Sequence, residues 1–111
     1  MTVTVKVLIP AKIAESAQTT QYTATGVTTI IDKFTATNYS STAATISVNL
    51  VTAADTAGNQ NLITKTKTLQ PAETYTFPEI VGQVLAASGF ISTIAGTATS
   101  INIRASGREV T

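Results

Sequence analysis

The side chains able to do acid–base or ligand chemistry in this chain are six carboxylates: Glu15, Asp32, Asp55, Glu73, Glu79 and Glu109. Histidine and cysteine are both absent. Without imidazole or thiolate there is no Ser–His–Asp or Cys–His nucleophile, and no zinc site of the usual kind. A facing pair of acids, as in glycoside hydrolysis, is the one catalytic arrangement left open. Local context argues against it. Glu73 sits beside a Gln70–Pro71–Ala72 turn, Glu79 follows Pro78 where a helix would start, and Glu109 lies near the C-terminus. Acids in such places are solvated or cap backbone N–H groups. No catalytic, cofactor-binding or metal-ligating residue is assigned, and the chain reads as a non-enzyme.

Asp32 is the exception among the acids. By simple alternation it shares a face with Ile30 and Phe34, and if that face is core the carboxylate needs a partner. Lys33 points the other way, which leaves Arg104 or Arg108 for a structural ion pair. The loop Asp55–Asn61 is rich in side-chain oxygens but has one carboxylate and no terminal Glu, so it reads as a plain turn and not a calcium loop. Asn38-Tyr39-Ser40 matches a glycosylation sequon, yet falls in a polar turn. Tyr22, Phe34, Tyr39, Tyr75, Phe77 and Phe90 are scattered without basic interleaving, so they read as core anchors and not base-stacking platforms.

The elements that must position these residues are strands. Val3, Val5, Val7 and Ile9 alternate with Thr2, Thr4, Lys6 and Leu8, so the first strand has one apolar face; Pro10 is expected to stop it. Residues 1–17 form an N-terminal strand and candidate exchange arm, with Val3, Val5, Val7 and Ile9 as its partner contacts; residues 18–111 form the sandwich domain. A strand around Tyr22 ends at Gly26. Val27–Asn38 and a cleaner strand holding Ile46, Val48 and Leu50 are joined by a short polar turn, which predicts an antiparallel hairpin. Lys65 and Lys67 in Leu62–Leu69 mark an edge strand. Pro78, Glu79 and the stripe Ile80, Val81, Val84, Leu85 predict one short helix near residues 78–88. Phe90–Ala95 and Ser100–Ala105 close the set, and Gly107 marks a turn or bulge. Seven to eight short strands predict an all-β, two-sheet antiparallel β-sandwich, immunoglobulin-like or jelly-roll.

Composition sharpens the class. The chain has 111 residues, enough for one domain with a modest core. About a fifth of the residues are threonine, far above ordinary usage. Charged residues are 12% and the net charge is +1, so there is no basic patch for nucleic acid. No stretch approaches the length of a membrane span or the apolar core of a signal peptide, so the expectation is a soluble, cytoplasmically made chain. A surface of hydroxyls, amides and apolar atoms has few ions to desolvate on burial, which suits packing against neighbours.

Several segments carry a resemblance together: Thr19–Ala24, Thr29–Asn38, Pro71–Glu79, Gly82–Leu85, Ser88–Thr93 and Ile103–Glu109. In this arrangement the chain after Gln18 resembles small β-sandwich structural proteins of tailed bacteriophages. The resemblance implies a virion component, assembled in the host cytoplasm, that decorates or cements the capsid by binding major capsid protein subunits, as a homo-oligomer, with no cofactor. A neck, collar or tail component is the alternative within the virion; a carbohydrate- or ligand-binding sandwich, with Tyr39 as its candidate rim aromatic, is the alternative of another class. The chain has no collagen-like run or coiled coil of the kind that builds fibres.

Overall fold

β-branched side chains crowd a helical turn but lie easily on a pleated sheet, and this chain is extended along most of its length. The structure, a computed structural model, describes residues Met1–Thr111. Its strands are β1 (Val3–Ile13), β2 (Thr19–Thr23), β3 (Thr28–Asn38), β4 (Ala44–Val51), β5 (Leu62–Leu69), β6 (Thr74–Tyr75), β7 (Val84–Leu85), β8 (Phe90–Ala95) and β9 (Ile101–Val110). They form two antiparallel sheets. One runs β1-β9-β3, with β6 and β7 both lying along the far edge of β3; the other runs β2-β8-β4-β5. The sheets enclose one core of 20 buried residues, in which Phe34 and Phe77 meet edge-on at 4.6 Å. No buried side-chain nitrogen or oxygen lacks a hydrogen-bond partner.

Counting β6 and β7 as one interrupted strand, the pairs are nested. β4 pairs with β5, β3 with β6 and β7, β2 with β8, and β1 with β9. One long antiparallel ribbon folded over on itself gives this order, which is that of a jelly roll. The expected two-sheet sandwich therefore forms, and of the two topologies left open the strand order is the jelly roll.

Several local expectations are corrected. No helix forms at residues 78–88; the only helix is a 3-10 turn at Asn59–Asn61. After Phe77 the chain makes one tight turn, with Ile80 N–H donating to the Phe77 carbonyl, and is then claimed by β3: Gly82 N–H donates to Ile31 O at 2.7 Å and Ile31 N–H to Gln83 O at 3.0 Å. Gly82 has φ +91°, a left-handed conformation that ends any helical run and is open to glycine. Of the apparent helical stripe only Ile80 and Leu85 reach the core, while Val81 and Val84 are exposed. The hairpin expected between β3 and β4 is also absent, because the turn after Asn38 carries the chain from one sheet to the other. Asn38 fixes that crossing. It is buried, its Nδ2 donates to Thr42 O and Leu69 O, and its Oδ1 accepts from Ser40 N and Oγ.

Pro10 does not stop β1, which continues to Ile13. It lies in an edge strand with register shifts on either side of Ile9, inside the second of them, where a missing N–H disturbs no ladder bond. Those shifts also change the phase of the strand. Val3, Val5 and Val7 are exposed, whereas Leu8 and Ile9 are both buried. A matching shift lies on β3 between Ile31 and Lys33, so the inward set is Thr29 and Ile31, then Phe34, Ala36 and Asn38. Asp32 is the extra residue of that bulge and is exposed, not on the core face of Phe34. The shift after Val7 falls opposite Ser106 and Ala105 of β9 and the shift on β3 opposite Gly107 and Ser106, while β9 itself runs through without a turn. β5 lies at a sheet edge, where Lys65 and Lys67 place it.

Candidate functional site

The six carboxylates are dispersed, and each accepts from its own donors. Glu15 meets Lys12 Nζ at 2.8 Å and Gln21. Asp55 accepts from Thr56 N and Gln60 within its own loop, and Glu73 from Gln70 N. Glu79, expected as a helix cap, instead ties β5 to the segment after β6: Thr64 Oγ1 donates at 2.5 Å and Tyr75 Oη at 2.7 Å. Burial alone would raise the Glu79 carboxyl, but these two donors outweigh it and hold it below the usual range. The same bond to Glu79 pushes the Tyr75 phenol up to about 12.

Glu109 anchors a second cluster. Tyr22 Oη donates to it at 2.5 Å and lies 2.6 Å from Thr29 Oγ1, while Lys6 Nζ approaches to 3.3 Å. Burial and the Glu109 charge push the Tyr22 phenol up to about 12, and the phenol's hydrogen bond holds Glu109 low. These contacts pin β1, β2, β3 and β9 to one another at one end of the sandwich. They are fastenings: no acid faces another across a cleft, and no three candidate metal ligands converge.

Of the two arginines proposed for Asp32, the partner is Arg108. Its Nε and Nη2 each reach an Asp32 oxygen at 2.9 Å, a bidentate fork. The charge–hydrogen-bond contact lowers the Asp32 carboxyl and raises Arg108. Arg104 pairs in register with Thr35 and takes no part. The fork is solvent-exposed, so it orders a surface and does not resolve a buried charge.

A concavity of about 300 Å³ opens between the ends of β4 and β7 and is lined by Leu50, Val51, Ile63, Val84, Leu85 and Ala86 among others. None of its lining residues is ionisable. Tyr39, the candidate rim aromatic, is not among them.

The surface that stands out is the outer face of the five-stranded sheet. Residues directly opposite on neighbouring strands share a face. Val5 pairs with Arg108, Arg108 with Ile30, and Ile30 with Val84, one row across four strands. The adjoining rows are Val3–Val110–Thr28 and Val7–Ser106–Lys33. Val5 is 82% exposed and Val84 56%. The Asp32–Arg108 fork lies among these side chains. Val3, Val5 and Val7 of the candidate contact set therefore lie together on this face, while Ile9 is 0% exposed and belongs to the core. Ile30, Val84 and Val110 complete the face beyond that contact set. Val84 is disguised by its helix-like spacing, and Ile30 by the bulge that follows it. The chain matches no protein-family profile, no curated protein and no solved structure.

Proposed function

We propose that the chain is a structural component of a tailed-phage particle, a decoration or cement protein whose outer sheet face docks on capsid subunits. The observation that carries this reading is the valine-rich face just described, set in a surface with few charges. A monomeric soluble domain rarely leaves such a patch on a sheet face without a use for it. The Asp32–Arg108 fork among its valines is already neutralised within the face, which leaves Lys33 and Arg104, farther along the same sheet, as the charges a partner would have to meet. Jelly-roll sandwiches are a recurrent architecture of viral capsid domains as well as of lectins, an analogy of fold that agrees with the phage resemblance and does not by itself assign a role.

The contact is made by the face and not by a detachable arm. Leu8, Ile9 and Ala14 all sit in the core, so removing residues 1–17 would unfold the domain, and a point change is the proper probe. The test is mass spectrometry and imaging of purified particles of the source phage. The chain is expected on the head shell at fixed stoichiometry, and Val84→Glu, on the outer face, is expected to abolish its retention without changing its circular dichroism. Its absence from the particles, or its presence only at the neck or tail, overturns the capsid assignment. Full retention of Val84→Glu overturns the assignment of the face.

A further inference from the structure

We infer that two copies of this chain associate through β1, pairing antiparallel about Val5 so that the two five-stranded sheets become one. The starting point is how the sheet edges are finished. β5 carries Lys65 and Lys67 and is kinked at Thr66, whose φ is +43°. β2 is five residues long and interrupted by a register shift between Thr20 and Tyr22. β6 and β7 are two residues each. Short strands, bulges and lysines are the devices by which proteins stop their edges from pairing with another chain. The first part of β1 has only one of them, the single lysine Lys6. From Val3 to Val7 it holds unbroken register with β9, contains no proline, has Lys6 as its one charge, and is exposed at every residue.

The direction of its backbone groups can be read from the ladder. Thr2 and Thr111 exchange both backbone bonds, at 3.1 and 3.0 Å. In an antiparallel pair such residues alternate with ones whose N–H and C=O point away from the partner. Thr4 and Lys6 therefore bond to β9, and Val3, Val5 and Val7 turn their N–H and C=O to the open side.

A second β1 placed about a two-fold axis at Val5 sets Val5 against Val5 and Val3 against Val7. Every outward N–H and C=O of the three valines then finds a partner, and their side chains form one apolar block on the outer face. Lys6 stands opposite Thr4 of the second copy, on the side where that copy's Glu109 lies. Shifting the axis to Lys6 would put like charges face to face, and shifting it to Thr4 would set the outward groups of Val7 against Met1, which lies outside β1. The hydrophobic pattern and the charges select the same register. The contact is isologous and closed, so it yields dimers and not filaments. It is independent of the virion reading: dimers in solution would remain if the protein proved absent from particles, and a monomer could still decorate a capsid.

Sedimentation equilibrium of the full chain tests it, with a charge swap at the residue that opposes itself. The wild type is expected to be dimeric at micromolar concentration. Val5→Lys and Val5→Glu should each weaken self-association by roughly tenfold or more through like-charge apposition, and mixing the two should restore dimers. Because the side chain is almost wholly exposed, both variants should keep the wild-type circular dichroism. As a second readout, Val5→Cys should form an intermolecular disulfide on mild oxidation, since facing strands lie within disulfide reach, while Val84→Cys should not. A wild type that stays monomeric, or Val5→Lys dimers as tight as the wild type, overturns the inference, as does Val84→Cys cross-linking as fast as Val5→Cys.

Discussion

Replacing Gly107 by alanine should be among the most damaging single-methyl changes in this molecule, and the reason lies in what flanks it. Gly107 sits in β9 between Lys6 of β1 and Ile31 of β3. A Cβ there would stand 2.1 Å from the Ile30 carbonyl oxygen and 2.9 Å from Leu8 Cδ1. Relief requires moving β3 by roughly 1 Å to regain ordinary van der Waals distance, but β3 is held on its other edge by β6 and β7. Overpacking of about 1–3 kcal/mol plus a weakened ladder bond of about 1 kcal/mol gives a loss of about 3 kcal/mol. For a domain of this size that lowers Tm by about 12 °C. Gly96 supplies the control. A Cβ there meets Thr45 Oγ1 at 2.3 Å, a similar overlap, but its next neighbour is 3.6 Å away. A half-buried hydroxyl can rotate aside where a backbone carbonyl in a ladder cannot, so Gly96→Ala should stay within about 0.5 kcal/mol. Thermal unfolding followed by circular dichroism, at one protein concentration, separates the two. A Gly107→Ala protein within a few degrees of wild type, or a Gly96→Ala protein that falls as far, would refute the argument that the identity of the colliding atom decides the cost.

Asn38→Ala should cost about 2–3 kcal/mol, because it strips partners from the buried carbonyl of Leu69 and from the turn that joins the sheets; Asn38→Asp should cost at least as much, since a carboxylate would face two carbonyl oxygens, and urea midpoints measure both. Stability should be level across neutral pH, as no histidine or cysteine titrates there. Glu79 and Glu109 are held below their ordinary 4.5, so their contribution is complete above that pH and is lost as the pH falls through their lower folded values. Tyr22 and Tyr75 move from 10.0 to about 12, so theirs is complete below pH 10 and is lost as the pH rises towards 12. Denaturant midpoints across pH, with tyrosinate absorbance at the alkaline end, should show both limbs, and a step near pH 7 would contradict them.

The strands were legible where a half-buried element imposes period two without interruption. Ile46, Val48 and Leu50 mark β4, and the lysines of β5 mark an edge because charge there has a physical cost elsewhere. Two features hid the rest. A bulge inserts one residue and inverts every side chain beyond it, so Ile9 and Asp32 each fell on the wrong face when alternation was extended through Leu8 and Ile31. Sheet partnership was the other. The chain from Phe77 to Leu85 has spacing that a helix could use, but its backbone groups are taken by β3, a strand more than forty residues earlier, and no local pattern reports that claim. For the same reason the apolar stripe Val3, Val5, Val7 was visible, whereas its exposure, and its continuation through Ile30 and Val84, depended on which strands lie alongside.

The placement of β9 bears on how the protein is made. It is synthesised after the other eight strands, yet it lies second in its sheet, between β1 and β3. While the chain is emerging from the ribosome, β4 can pair with β5 and then with β8, but β1 and β3 have no neighbour to join them. The five-stranded sheet cannot close until β9 is free of the exit tunnel, and for that interval β1, made before the other strands and the edge with the fewest defences against stray pairing, waits without its neighbour.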